Sequence, residues 1–210
     1  MPGSSLWLVP PPDSDLHKAL QDLITTHLPS IYPSSSSSSS PPPPNFPPHI
    51  TLTSSTTTPP TDPQAWLDSI PLSPEEVLAA LTVSIRDPLV GTPFFRKLTL
   101  ACGKTRELCD LAVRCRVAGV EGVEEAEARK WMIASFGPHC SLMYSDLSVE
   151  EVEGKLHEVG ERVRSAREQY PGSGTARGGS VWLVPTSKGI EDWKPVATRQ
   201  LHDIKWEWLT

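Results

Sequence analysis

The sequence predicts an α+β fold built from two pseudo-symmetric lobes of antiparallel β-sheet with flanking helices. Three observations lead there. One phrase occurs twice: Phe46-Pro47-Pro48-His49-Ile50-Thr51-Leu52 and Phe136-Gly137-Pro138-His139-Cys140-Ser141-Leu142 share Phe, Pro, His, a hydroxyl residue and Leu at equal offsets. Trp7-Leu8-Val9-Pro10 near one end returns as Trp182-Leu183-Val184-Pro185 near the other. Between these marks, apolar runs of strand length alternate with segments of helical period. The first tryptophan lies 42 positions before His49 and the second 43 after His139. That opposite order suggests a pseudo-dyad across which each lobe exchanges a strand with the other, with Trp182 either the symmetric counterpart of Trp7 or a core residue.

Taken in order, Ser5 to Val9 reads as a buried strand ended by Pro10-Pro11-Pro12. Asp13 or Ser14 caps a helix whose apolar residues recur at helical spacing from Leu16 to Ile24, with Pro29 as its stop. Residues 33–44, serines followed by prolines, have nothing to bury and read as an insertion in a single bilobal domain, with a lid over the site as the alternative. The first histidine strand follows, and 54–63 is a polar connection. Helices open at Asp62-Pro63 and at Ser73-Pro74. Leu81–Arg86 and Phe94–Leu100 read as neighbouring antiparallel strands, Thr105–Arg116 and Val123–Trp131 as amphipathic helices. After the second histidine strand, Ser148 and Glu151 form a capping box that starts a helix to about Tyr170, and Leu201–Trp208 is a final strand at an edge.

Within each histidine strand, alternation puts His49, Thr51 and Thr53 on one face with Ile50 and Leu52 in the core, and His139 with Ser141 on one face with Cys140 and Leu142 behind. Two imidazoles, each with a hydroxyl two residues on, would face each other across the pseudo-dyad.

Composition narrows the partners. The net charge is −6 with a pI near 5.5, against a protein that tracks along a long nucleic acid. No apolar stretch approaches a membrane span and the N-terminus lacks the layout of a secretion signal, so a soluble, intracellular, cytoplasmic monomer is expected. The four cysteines form no metal-type cluster; they read as buried or free thiols, with a bridge from Cys102 to Cys109 or Cys115 as the alternative.

The paired tetrads His49-Ile50-Thr51-Leu52 and His139-Cys140-Ser141-Leu142 resemble the two-histidine (2H) phosphoesterase superfamily. The Trp-Leu-Val-Pro opening, Pro before each His, Tyr144 and the segment from Trp182 to Trp193 look most like its fungal and plant cyclic phosphodiesterase branch. The resemblance implies hydrolysis of nucleoside 2′,3′-cyclic phosphates to 2′-phosphates, and of ADP-ribose 1″,2″-cyclic phosphate, with no metal or cofactor. It implies His139 as the base that activates water and His49 as the acid on the leaving oxygen. Thr51 and Ser141 would donate to the phosphate, Trp7 would line the cleft and Tyr144 would stand on the phosphate side. Strict alternation turns Tyr144 away from His139, so its role requires the strand to end or bulge there. Trp7 can equally be core. RNA end processing by the same pair and non-catalytic binding of a phosphate ligand stand as alternatives, and fungal members imply peripheral Golgi association as an alternative location.

The chemistry gives a reason for two histidines. In-line attack on a cyclic phosphodiester puts proton acceptor and proton donor on opposite sides of phosphorus, and imidazole can serve as either near neutral pH. Two hydroxyls can then donate to the non-bridging oxygens as charge develops.

Overall fold

The structure is a computed structural model and describes residues 3–33, 43–56, 61–72 and 74–209. Most of the Ser/Pro stretch and the cap position Ser73 lie outside the described residues.

The strands are β1 (Ser4–Val9), β2 (Ile50–Thr56), β3 (Thr82–Val90), β4 (Leu98–Cys102), β5 (His139–Met143), β6 (Thr175–Arg177), β7 (Ser180–Pro185), β8 (Ala197–Gln200) and β9 (Lys205–Trp208). They form one nine-stranded sheet in the order β6-β9-β3-β4-β5-β2-β1-β7-β8. The helices are α1 (Asp15–Asp22), α2 (Leu28–Ile31), α3 (Pro63–Ser69), α4 (Glu75–Ala80), α5 (Arg106–Gly119), α6 (Glu125–Ala134), α7 (Val149–Glu153) and α8 (Leu156–Gln169). The α+β class holds, and the two lobes are the two halves of this sheet. They meet where β2 pairs antiparallel with β5 through Ile50 and Cys140, each the residue after a repeat histidine. The pseudo-dyad passes through that pair.

Around it, β1 corresponds to β4. Trp7 pairs with Thr51, and Thr99 with Ser141, so the counterpart of Trp7 is Thr99 and not Trp182. The two Trp-Leu-Val-Pro strands are instead neighbours in one half, antiparallel, with Trp7 opposite Trp182. The strand exchange is real but differently drawn: β7 and β8 join the half that holds β1 and β2, whereas β6 and β9 join the half that holds β3 to β5. The final strand is not an edge. It lies between β6 and β3, pairing with β3 in parallel, because the Gly178-Gly179 turn lets short β6 fold back over its open side.

Helices and long loops bury one face of the sheet. Leu6, Leu8, Ile50, Leu52, Leu100, Cys140 and Leu142 point into that core beside Leu16, Leu20, Leu108, Leu111 and Val159 from the helices. At about 25 cal/mol per Å² of apolar surface removed from water, this face is the main source of stability. The opposite face carries a smaller cluster of Trp7, Val9 and Val184 against Trp182 and Trp193. All four cysteines are buried free thiols.

Two helix expectations and one strand expectation change. The first helix does not stop at Pro29. A π turn over Leu23–His27 widens it, and Pro29, which has no N–H to give, sits in the first turn of α2. The helix capped by Ser148 breaks at Gly154-Lys155 into α7 and α8. Phe94–Arg96 is a 3-10 turn and no strand, since Gly91-Thr92-Pro93 cannot extend the ladder, and β4 starts only at Leu98. Among the described residues, no helix is long and apolar enough to cross a membrane.

Candidate active site

The β2–β5 register builds the site. With Ile50 opposite Cys140 and both in the core, one step along each antiparallel strand sets His49 across from Ser141 and Thr51 across from His139, all four on the face away from the helices. Each histidine therefore faces the hydroxyl of the other repeat, at cross-strand distance.

Both strands then bulge at the same place. In β2 the partner of Thr51 is Trp7 but that of Thr53 is Leu6; in β5 the partner of Ser141 is Thr99 but that of Met143 is Leu98. The extra residue turns two successive side chains inward, Leu52 with Thr53 and Leu142 with Met143, all fully buried. Thr53 thus leaves the histidine face, against expectation, and takes a 3.4 Å hydrogen bond from Arg116 Nη1. The same bulge returns the next residue to the site. That residue is Ser54 in the first repeat and Tyr144 in the second, so the condition for Tyr144 to reach the site is met.

The imidazoles are fixed by one local device used twice. His49 Nδ1 lies 2.7 Å from the carbonyl oxygen of Pro47, and His139 Nδ1 lies 2.7 Å from that of Gly137. A carbonyl only accepts, so each Nδ1 carries the proton and each Nε2 keeps its lone pair for chemistry. Tyr144 Oη donates to His49 Nε2 across 3.4 Å, and Arg96 Nε approaches His139 Nε2 at 3.4 Å.

Surroundings separate the two rings. His49 is 3% exposed, sandwiched on Trp7 at 3.7 Å between centroids with 10° between planes, and meets the edge of Phe46. Burial pushes its pKa from 6.5 down to about 4; the Pro47 carbonyl opposes that and His139 adds to it. His139 is only half-buried; desolvation and then the Arg96 guanidinium lower its pKa, with the Gly137 carbonyl opposing. Ser141 Oγ donates to the Phe95 carbonyl at 3.3 Å, and burial raises the Tyr144 phenol pKa well above its usual range.

These groups open into a cleft of about 300 Å³, lined also by Phe95, Trp193, Ser5, Ser54 and Thr186. The structure thus brings His49, His139, Thr51, Ser141, Tyr144 and Trp7 into one place. Trp7 is 1% exposed and spends its face on the His49 ring, so it does not present a platform to a base. Among the described residues, no Asp or Glu lines the cleft and no group of three His, Cys, Asp or Glu is placed to hold a metal.

A model of the family described as cyclic phosphodiesterase-like protein matches residues 1–201. The chain belongs to this family. It is 38% identical to a 2′,3′-cyclic-nucleotide 3′-phosphodiesterase of Neurospora crassa and 40% identical to one of Phaeosphaeria nodorum, each comparison covering 96% of this chain and 100% of the relative. A third relative of that name, from Saccharomyces cerevisiae, is 33% identical over 48% of this chain and 46% of its own.

For this cyclic phosphodiesterase-like chain, sequence reading missed Arg96, Phe95 and Ser54. Arg96 and Phe95 were assigned to a strand, and nothing in Phe94-Phe95-Arg96-Lys97 signals a turn folded over a histidine 43 residues away. Ser54 had a signal, since it stands five residues after its histidine as Tyr144 does after His139.

Proposed function

We propose that the chain hydrolyses nucleoside 2′,3′-cyclic phosphates to nucleoside 2′-phosphates, and ADP-ribose 1″,2″-cyclic phosphate to its 1″-phosphate, by acid-base catalysis between His139 and His49. The observation that supports this reading is the β2–β5 register, by which both histidines and both hydroxyls line one cleft. The names of the relatives support the substrate class. His139 Nε2 takes a proton from water, whose oxygen attacks phosphorus as the bond to O3′ breaks, and His49 Nε2–H gives its proton to O3′. Thr51 donates to the non-bridging oxygens, Ser141 does so by turning its one O–H away from the Phe95 carbonyl, and Tyr144 steadies the phosphate side. Trp7 acts beneath His49, holding the ring in plane. Acid, base and oxyanion donors all come from side chains, so the step needs no metal.

His49 must be protonated to act as the acid, and its burial opposes that. The bound phosphate anion supplies the charge that favours imidazolium. The low pKa of His49 also favours a second reading with the roles reversed, His49 as base and His139 as acid. The isomer of the product separates the two. Incubation with a 2′,3′-cyclic mononucleotide and excess chelator, followed by phosphorus NMR, should yield the 2′-phosphate at an undiminished rate. A 3′-phosphate would support the reversed roles, a need for divalent ion would remove the metal-free step, and no turnover of either substrate class would remove the function.

A further inference from the structure

We propose that Arg96 is a displaceable cover on His139, which an anionic substrate draws off so that the guanidinium grips the phosphate and Nε2 is released. This rests on reading the cleft as a phosphodiester site.

Arg96 is exposed, and among the described residues no carboxylate forms an ion pair with it. Its Nη2 donates to the Gly137 carbonyl at 2.8 Å, and its guanidinium spans the His139 ring, Nε at 3.4 Å from Nε2 and Nη2 at 3.0 Å from Nδ1. The last contact cannot be a hydrogen bond, because Nδ1 already donates to Gly137. The first is at the long limit. Its acceptors are a backbone carbonyl and a neutral ring, and among the described residues no carboxylate lines the cleft, so the cation has no counter-charge there, and a planar fork of donors suits a phosphate.

Two further features fit a part that moves. The backbone of the Phe94–Arg96 turn is tied down, with Ser145 N donating to Phe94 O at 3.3 Å and Arg96 N to Pro93 O at 3.0 Å, so the side chain can swing on a fixed base. Arg96 and His139 also stand between the catalytic cleft and a second groove of about 380 Å³ lined by Leu89, Gly91, Thr99 and Gly137, which leaves room beside the guanidinium. The repeat makes space for it. Where the first copy has Pro47, the second has Gly137, and a Cβ there would come within 3.1 Å of Arg96 Nη2. Among the described residues, the charged or titratable groups facing His139 are Arg96 from the turn, His49 just before β2 and Tyr144 just after β5. Arg96 depresses the His139 pKa, so its departure favours proton uptake when water is to be activated.

The test compares wild type, R96Q and R96K in two measurements. With a 2′,3′-cyclic mononucleotide, R96Q should raise KM by about tenfold or more, the loss of one charge-assisted contact. The acid limb of kcat/KM should move to higher pH, since His139 titrates freely once the cation is gone. R96K should recover part of KM. Separately, proton NMR of the His139 ring during titration with inorganic phosphate should show a larger upward pKa change in wild type than in R96Q. An unchanged KM and acid limb in R96Q, or a fall in kcat alone, would reduce Arg96 to a prop for the Gly137 loop and overturn the proposal, as would equal phosphate responses in the two proteins. If wild type turns over no cyclic nucleotide while the phosphate titration behaves as described, the substrate reading fails and the displacement stands.

Discussion

The two histidine repeats share a backbone and differ in climate. Each has its Nδ1 bonded to the carbonyl two residues back, a hydroxyl at the second position, and a bulge that buries the third and fourth. Yet His49 is sealed under Trp7 and Phe46, whereas His139 is half open with a guanidinium across it. The difference comes from the neighbouring strands. At equivalent positions, β1 offers Trp7 and β4 offers Thr99, so one ring gains a stacking partner and the other is left to the Arg96 guanidinium. Local sequence can repeat a tautomer and a direction. Proton affinity is set by what packs alongside, through desolvation and nearby charge.

The comparison breaks most completely if either ring is removed. His49→Ala and His139→Ala should each lower kcat/KM by about 100- to 10,000-fold, as expected of a positioned general acid or base. The double variant should be little worse than either single one, because the two act as a unit. Additive losses would mean that the rings work independently.

A sharper probe makes the two environments alike. Trp7→Thr places in β1 the residue that β4 carries and should destabilise the protein by about 3 kcal/mol, the scale of emptying a core aromatic site. It should also raise the His49 pKa toward its ordinary value, read by NMR. The same exchange flattens the acid side of the stability curve. With a folded pKa near 4 against 6.5 unfolded, only the unfolded chain takes up a proton at His49 in that window. Folded stability is then full above 6.5 and falls as pH drops toward 4, by about 3 kcal/mol from this group. Denaturant melts at pH 7 and 4.5 should show a smaller loss for Trp7→Thr than for wild type; equal losses would place the acid sensitivity elsewhere.

The smallest effect tests whether the hydroxyls are equivalent. Thr51→Val and Ser141→Ala should each reduce kcat by about tenfold to a hundredfold, below the range of a dedicated oxyanion donor because the other hydroxyl remains. Ser141→Ala should cost the more, since its hydroxyl also ties the Phe95 carbonyl and with it the turn that carries Arg96. Equal losses would mean that this tie does not matter for turnover.

Much of this was legible in the chain. Proline before each histidine, a core residue after it and a hydroxyl at the second position are local properties, and strand alternation with cross-dyad pairing follows from them; the Ser148 capping box, the α+β class and the convergence of His49, His139, Thr51 and Ser141 were legible in the same way. The bulge in β2 was not legible, and that in β5 entered only as the condition for Tyr144 to reach the site, because bulging depends on two strands held in a ladder; the first bulge took Thr53 off the face where alternation alone would leave it. Nor was the partnership of Trp7 with Thr99's position in place of Trp182, since like sequences attract the eye but register decides which strands are equivalent. Arg96 reaches His139 only because a turn 43 residues earlier in the chain is fastened to β5. Sequence determined which groups can do the chemistry and which way their local backbone aims them. Tertiary structure alone decided their proton affinities, because burial and the nearness of charge are properties of the packed molecule and not of any segment of it.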